Sequence, residues 1–142
     1  MRAVHFWSLQ FLLTAPLAGA GAAELKVTLE DVATSSGHVL VAVWTPETFL
    51  RRGCPSTARA PAASGEAQVV VRGIDPGVYA MQAFHDQNDN FDLDRNFLGL
   101  PKEGMGFSND APMRLGPPSF DDAAIEISAA GAATRLRLRY FD

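Results

Sequence analysis

His38-Val39-Leu40-Val41-Ala42-Val43-Trp44-Thr45 is the stretch that decides the fold. Both parities of this run are apolar, and its alternate residues are β-branched. Such a run fits a central strand covered on both faces. Pro46 ends it. On the N-terminal side, Leu25 to Glu30 alternates apolar and polar residues, the pattern of a strand with one buried face. Ser35-Ser36-Gly37 supplies the turn between the two. On the C-terminal side, residues 46–65 read as irregular, with room for one helical turn at Glu47 to Arg52. Ala67 to Gly73 is the next strand. Asp75-Pro76-Gly77 is a tight turn in which Pro presets φ and Gly accepts a positive one. Val78 to His85 is the fourth strand. Ala123 to Ser128 and Ala133 to Phe141 complete the set. In the last of these, Leu136, Leu138 and Tyr140 point one way and Arg135, Arg137 and Arg139 the other, so the arginines are expected on a solvated outer face. No long amphipathic helix and no internal repeat interrupts the pattern. The expectation is an all-β protein, an antiparallel β-sandwich with a long irregular loop after the fourth strand.

The first residues read differently. Arg2 precedes an apolar run from Phe6 to Leu13, and small residues follow from Leu17 to Ala23. That order is expected of a secretory signal peptide cleaved after Ala23, with Ala20 as the second choice. The apolar run is short for a membrane span, and Pro16 interrupts it. Residues 1–23 are then leader and 24–142 a single domain in the periplasm or outside the cell. Removing Arg2 takes the formal charge from −4 to −5. An acidic domain repels phosphate backbones and draws in cations, so nucleic acid is not an expected partner. Cys54 is the one cysteine, so no internal disulfide can form. With no histidine near it in sequence, it reads as an unpaired loop thiol.

The fourth strand runs into Asp86-Gln87-Asn88-Asp89-Asn90-Phe91-Asp92-Leu93-Asp94. Every second position carries a side-chain oxygen. Hard cations such as Ca²⁺ take six to eight oxygen ligands from flexible loops. Asp86, Asn88 and Asn90 match positions one, three and five of the EF-hand calcium loop, and Asp92 and Asp94 fall at seven and nine. Phe91 stands at the Gly position, and Phe97 stands where a bidentate Glu closes such a site. Glu103, Asn109 or Asp110 would supply the missing ligands if the following segment folds back. The expected metal set is Asp86, Asn88, Asn90, Asp92, Asp94 and Glu103, with Ca²⁺ as the cation. A solvated polar turn is the plainer alternative, since Asp and Asn favour turns without any metal.

Residues 96–120 show no period of either kind and are rich in Gly and Pro. A structureless stretch of that length is uncommon in a compact domain and is often functional. Here the chain resembles the bacterial domain-of-unknown-function 2141 family. The resemblance is carried by Gly77-Val78-Tyr79 through His85-Asp86-Gln87-Asn88-Asp89-Asn90, then Asn96-Phe97-Leu98-Gly99, Pro101-Lys102-Glu103-Gly104, Gly106-Phe107-Ser108-Asn109 and Gly116-Pro117-Pro118-Ser119-Phe120. It covers about residues 73–124 strongly and the flanking strands weakly. That family has Gly after the second Asn of the ladder, where this chain has Phe91. The resemblance implies an exported prealbumin-like or immunoglobulin-like β-sandwich and no assigned activity.

Catalytic readings are weaker. His85 and Asp86 are adjacent on a strand and should face opposite ways. Ser108 lies in Gly-Phe-Ser-Asn, which is not the nucleophile-elbow pattern. Glu103 and Asp110 form a carboxylate pair of unknown separation. Phe97, Met105, Phe107 and Phe120 read as a plug for the open end of the sandwich, the alternative being an exposed recognition surface. The expected function is a monomeric, non-enzymatic accessory module that binds an envelope protein or glycan. A small hydrolase using His85, Asp86 and Glu103 is the alternative, and a structural module without metal is a third.

Overall fold

The computed structural model describes residues 23–54, 56–93, 95, 98 and 101–141. The expected leader therefore lies almost wholly outside the described residues, as do Asp94 and Phe97. Eight strands form two sheets: β1 Ala23–Val32, β2 His38–Trp44, β3 Ser56–Pro61, β4 Gly65–Ile74, β5 Gly77–Asp86, β6 Met105–Phe107, β7 Ala124–Ile127 and β8 Ala132–Arg137. One sheet has the order β4-β1-β8. The other runs β3-β2-β5-β6, with β7 also on β5. β6 and β7 lie end to end along the same edge of β5, against residues 82–84 and 77–80.

The all-β sandwich expected from the sequence is present, with three differences. β8 runs parallel to β1, pairing Leu25 with Ala132 through Glu30 with Arg137, so the architecture is not wholly antiparallel. The segment read as loop between Pro46 and Gly65 contains the edge strand β3, which pairs with β2 from His38–Pro61 to Val43–Ser56. The long segment before Phe120 contains β6 and a 3-10 turn at Ser108–Asp110, and the short helix α1 follows at Phe120–Ala123. The long loop thus follows the fifth strand and is shorter than expected.

The core lies between the sheets. Leu25, Val27 and Leu29 of β1 and Val69 and Val71 of β4 face Val39, Val41 and Val43 of β2 and Met81 and Ala83 of β5. Each fully buried aliphatic side chain here stabilises the fold by about 1.5–3 kcal/mol. A bulge between Glu30 and Val32, with Asp31 at φ +58°, shifts the parity of β1 so that Val32 also turns inward. On the solvent face, Glu30 pairs with Arg135 at 2.6 Å, and Arg135 also meets Glu66. The arginine stripe is thus an exposed face laced with ion pairs, as its alternation predicted.

A second apolar cluster covers the other face of the five-stranded sheet. Ala80, Met105, Phe107, Ala111 and Ala123 are buried there, with Phe49, Phe84 and Phe120 packed against them. Phe49 meets Phe107 and Phe120 edge-on, at centroid distances of 6.3 and 5.7 Å. Met105, Phe107 and Phe120 therefore do act as a plug, but over a sheet face rather than at the open end of the sandwich. Beside β6, Met105 and Arg139 exchange two backbone hydrogen bonds of 2.9 Å. This seam stitches the edge of one sheet to the strand that leaves the other.

Candidate functional site

β5 delivers Asp86 to the rim of the sandwich, paired in register with His38. Asp86 is only 1 % exposed. Its Oδ1 accepts the Asn90 N–H at 3.1 Å and its Oδ2 accepts the Phe91 N–H at 2.8 Å. Two amides, four and five residues on, are thereby pulled onto one carboxylate, and the chain curls around it. The next rungs repeat the device. Asn88 Oδ1 accepts from Asn90 N–H at 3.3 Å, Asn90 Oδ1 from Asp92 N–H at 3.0 Å, and Asp92 Oδ1 from Leu93 N–H at 2.9 Å. Asp89 and Phe91 take positive φ values of 54° and 62°. Phe91 thus makes the left-handed turn that a calcium loop normally gives to Gly at its sixth position.

The neighbouring segment folds back at Glu103. Gly104 O accepts the His85 N–H at 2.8 Å, which lays residues 103–104 beside the end of β5. Glu103, 5 % exposed, accepts the Gln87 N–H on Oε1 at 3.2 Å. Two buried carboxylates, Asp86 and Glu103, therefore meet the base of the same loop. Asn109 and Asp110 do not return to it. Asn109 Nδ2 donates to Ala124 O at 2.9 Å, and Asp110 Oδ1 accepts from Arg137 N–H at 2.8 Å. Asp94 is outside the described residues. Outside the ladder, Asp89 Oδ1 lies 2.6 Å from His38 Nδ1, tying the loop tip to the start of β2.

Gly37 supports this arrangement from the β1–β2 turn. It has φ +70°, and a Cβ there would collide with the carbonyl oxygen of Asp86 and approach Gln87 Cα at 2.9 Å. The turn packs directly on the first residues of the loop. Sequence reading identified Gly37 only as a turn residue, because nothing local says what lies against it.

The donor set is all oxygen, which suits a hard cation rather than zinc. Carboxylate and amide oxygens carry two lone pairs each, so accepting an N–H does not prevent ligation. No group of three or more His, Cys, Asp and Glu converges among the described residues. Of the expected set, Asp86 and Glu103 could hold a cation at the base of the loop, with the side-chain oxygens of Asn88 and Asn90 following along the same turn.

His85 is fully buried on the inner face, away from this loop. Its Nε2 lies 2.7 Å from Ser36 O, which can only accept, so Nε2 carries a proton. Nδ1 lies 3.0 Å from the Tyr140 hydroxyl, which itself accepts the Ala33 N–H at 2.8 Å. His85 and Asp86 are not hydrogen-bonded to each other among the described residues. Ser108 is likewise buried: its Oγ accepts the Met81 N–H at 2.9 Å and donates to Ala123 O. Burial pushes the Cys54 thiol above its ordinary pKa, and its Sγ donates towards Val43 O and Ser56 O at 3.3 Å. It is a packed thiol rather than an activated one.

Fold and loop together define an all-β sandwich that carries an Asp/Asn loop at one end. A family model described as an uncharacterized protein conserved in bacteria (DUF2141) matches residues 27–135, and the chain belongs to that family. No curated protein and no solved structure matches it.

Proposed function

We propose that this protein is an exported, non-enzymatic module of the cell envelope whose loop from Asp86 to Asp94 takes Ca²⁺. The observation that carries the reading is the backbone at Phe91. A bulky residue is held at φ +62° at the sixth position of the ladder, with Asp86 gathering the amides of residues 90 and 91. Leu50 takes a similar φ in the turn after β2, so the support lies in Phe91 being held there by the Asp86 carboxylate. Glu103 supports the same reading, because it reaches the loop where the EF-hand pattern lacks its closing Glu. The leader-like N-terminus supports export. No helix among the described residues is long and apolar enough to cross a membrane. The bound cation would fix residues 95–104 onto the sandwich, and the module would then present that surface to an envelope protein or glycan.

The test is thermal unfolding in EDTA and in 10 mM Ca²⁺. For a dissociation constant of about 10⁻⁴ M, as in extracellular calcium modules, mass action stabilises the native state by about 2.7 kcal/mol. That corresponds to a midpoint gain on the order of 10 °C. Glu103→Gln and Asn90→Ala should shrink the gain, and Mg²⁺ should give less. An unchanged midpoint in Ca²⁺ removes the metal from this reading.

A further inference from the structure

The outer face of the five-stranded sheet holds a cavity of about 670 Å³, distinct from the calcium loop. That size falls within the range of small-molecule pockets, roughly 300–1,000 Å³. Its walls include Trp44 from the end of β2, Gln82 from β5, and Met105 and Phe107 from β6. Met113 adds a flexible, polarisable wall that can adapt to a guest.

Two features point to the chemistry of that guest. The first is a polar group without a partner. Trp44 is 7 % exposed, and its indole Nε1–H finds no acceptor among the described residues. A buried donor left in that state is destabilising, and a ligand oxygen would relieve it. Gln82 Nε2 adds a second poorly used donor, since its acceptor is the Met105 sulfur at 3.4 Å. The second feature is charge. The chain carries a formal net charge of −4, yet among the described residues an exposed ionisable side chain lining the cavity is a cation, Arg114.

We propose that this cavity binds an amphipathic organic anion, an apolar chain or ring bearing one carboxylate, of which a medium-chain fatty acid is the simplest case. The apolar body lies against Met105, Phe107 and Met113. The carboxylate is drawn by the Arg114 guanidinium, whose planar fork suits a carboxylate. The indole and amide donors direct ligand oxygens within the pocket. An apolar lining with a few polar groups is the usual design of such sites.

The probe is dodecanoate, with dodecyltrimethylammonium as the cationic comparator, both kept below their micellar concentrations. Trp44 is the sole tryptophan once residues 1–23 are removed, and Trp7→Phe makes it so in the full chain. Its emission and its indole N–H resonance then report on the cavity directly. All titrations are run in EDTA, so the result does not depend on whether the loop binds calcium. Dodecanoate should give a saturable one-to-one change, and the cation should bind at least tenfold more weakly. Arg114 is exposed, so Arg114→Glu should leave the unfolding midpoint unchanged while weakening dodecanoate at least tenfold. No saturable change with dodecanoate overturns the proposal. Equal affinity for the anion and the cation, or indifference to Arg114→Glu, overturns it as well.

Discussion

The Tyr140 hydroxyl lies 3.0 Å from His85 Nδ1, at a sequence separation of 55 residues. The same hydroxyl accepts the Ala33 N–H, and the far side of the imidazole donates to Ser36 O. One relay thus ties the tail of the chain, the end of β5 and the β1–β2 turn. All its members belong to the rim beneath the Asp/Asn loop, so the relay braces the platform on which the loop stands.

Removing the hydroxyl should therefore cost more than one surface hydrogen bond. Tyr140→Phe leaves a buried imidazole nitrogen and a backbone N–H without their partner, at a cost of about 1–3 kcal/mol. Denaturant titration measures it. The effect should be equal in EDTA and in Ca²⁺, since no residue of the Asp86–Asp92 ladder is touched.

Tyr140 also sets an alkaline limit. Burial raises its pKa above the ordinary phenol value. The folded state therefore holds the proton more tightly than the unfolded state does. Its contribution is fully present below the unfolded pKa of about 10 and is lost as pH rises through the higher folded value. Unfolding midpoints should fall above about pH 10 in the parent protein and fall less in Tyr140→Phe.

Asp86 and Asn90 should separate architecture from ligation. Asp86→Ala strips the acceptors from two amides in a buried site and should cost about 2–4 kcal/mol even in EDTA. Asn90→Ala changes an exposed side chain and should cost less than Asp86→Ala in EDTA, while reducing the stabilisation that the proposed Ca²⁺ would add. Paired melts with and without the cation distinguish the two patterns.

Phe91 is 61 % exposed, and the Arg59 guanidinium lies 4.6 Å from its ring centroid. Phe91→Ala keeps the left-handed strain and loses that cation–π contact. Phe91→Gly loses the contact but also the strain. The glycine variant should therefore be more stable than the alanine variant by about 1 kcal/mol, the reverse of the order found at an ordinary loop position. Chemical denaturation of the two proteins side by side settles it.

Gly106 lies where β6 passes the strand from the opposite sheet. A Cβ there would strike the carbonyl oxygen of Arg137 and come within 3.1 Å of Leu136 Cδ1. Backbone cannot step aside as a side-chain tip can. Gly106→Ala should cost about 1–3 kcal/mol. It should also open the Met105–Arg139 seam, seen as faster amide exchange at those two residues.

Much of this architecture is written in alternation. Leu25, Val27 and Leu29 announce β1, and the doubly apolar run from Val39 to Trp44 announces a strand covered on both faces, as Trp44 on the outer side bears out. β3 was harder to see. Ser56 to Pro61 alternates, but its inward residues include Ala58 and Ala60, too small to stand out against loop composition. β6 is three residues long with Gly at its centre, and no periodicity survives at that length. The parallel sense of β8 is invisible in principle, because side-chain parity reads the same in either direction. The ladder at the candidate site was plain in the sequence, and so was Glu103 as one of three residues able to fold back towards it. Only the three-dimensional course of the chain chose Glu103 and sent Asn109 and Asp110 to β7 and β8. Trp44 and Gln82 gave no sign of a cavity, since its walls come from segments distant in the chain.

The parallel partnership of β1 and β8 bears on how the molecule is made. β1 sits in the middle of its sheet, and one of its two neighbours consists of residues 132–137. A polypeptide emerging from its N-terminus has this strand half-paired until residues 132–137 have arrived. Pairings of such long range close slowly, because chain entropy must be given up before any contact is gained. The chain consequently remains pliable through most of its emergence and locks late. A chain cut short before Ala132 leaves the edge of β1 bare, an invitation to pair with another molecule.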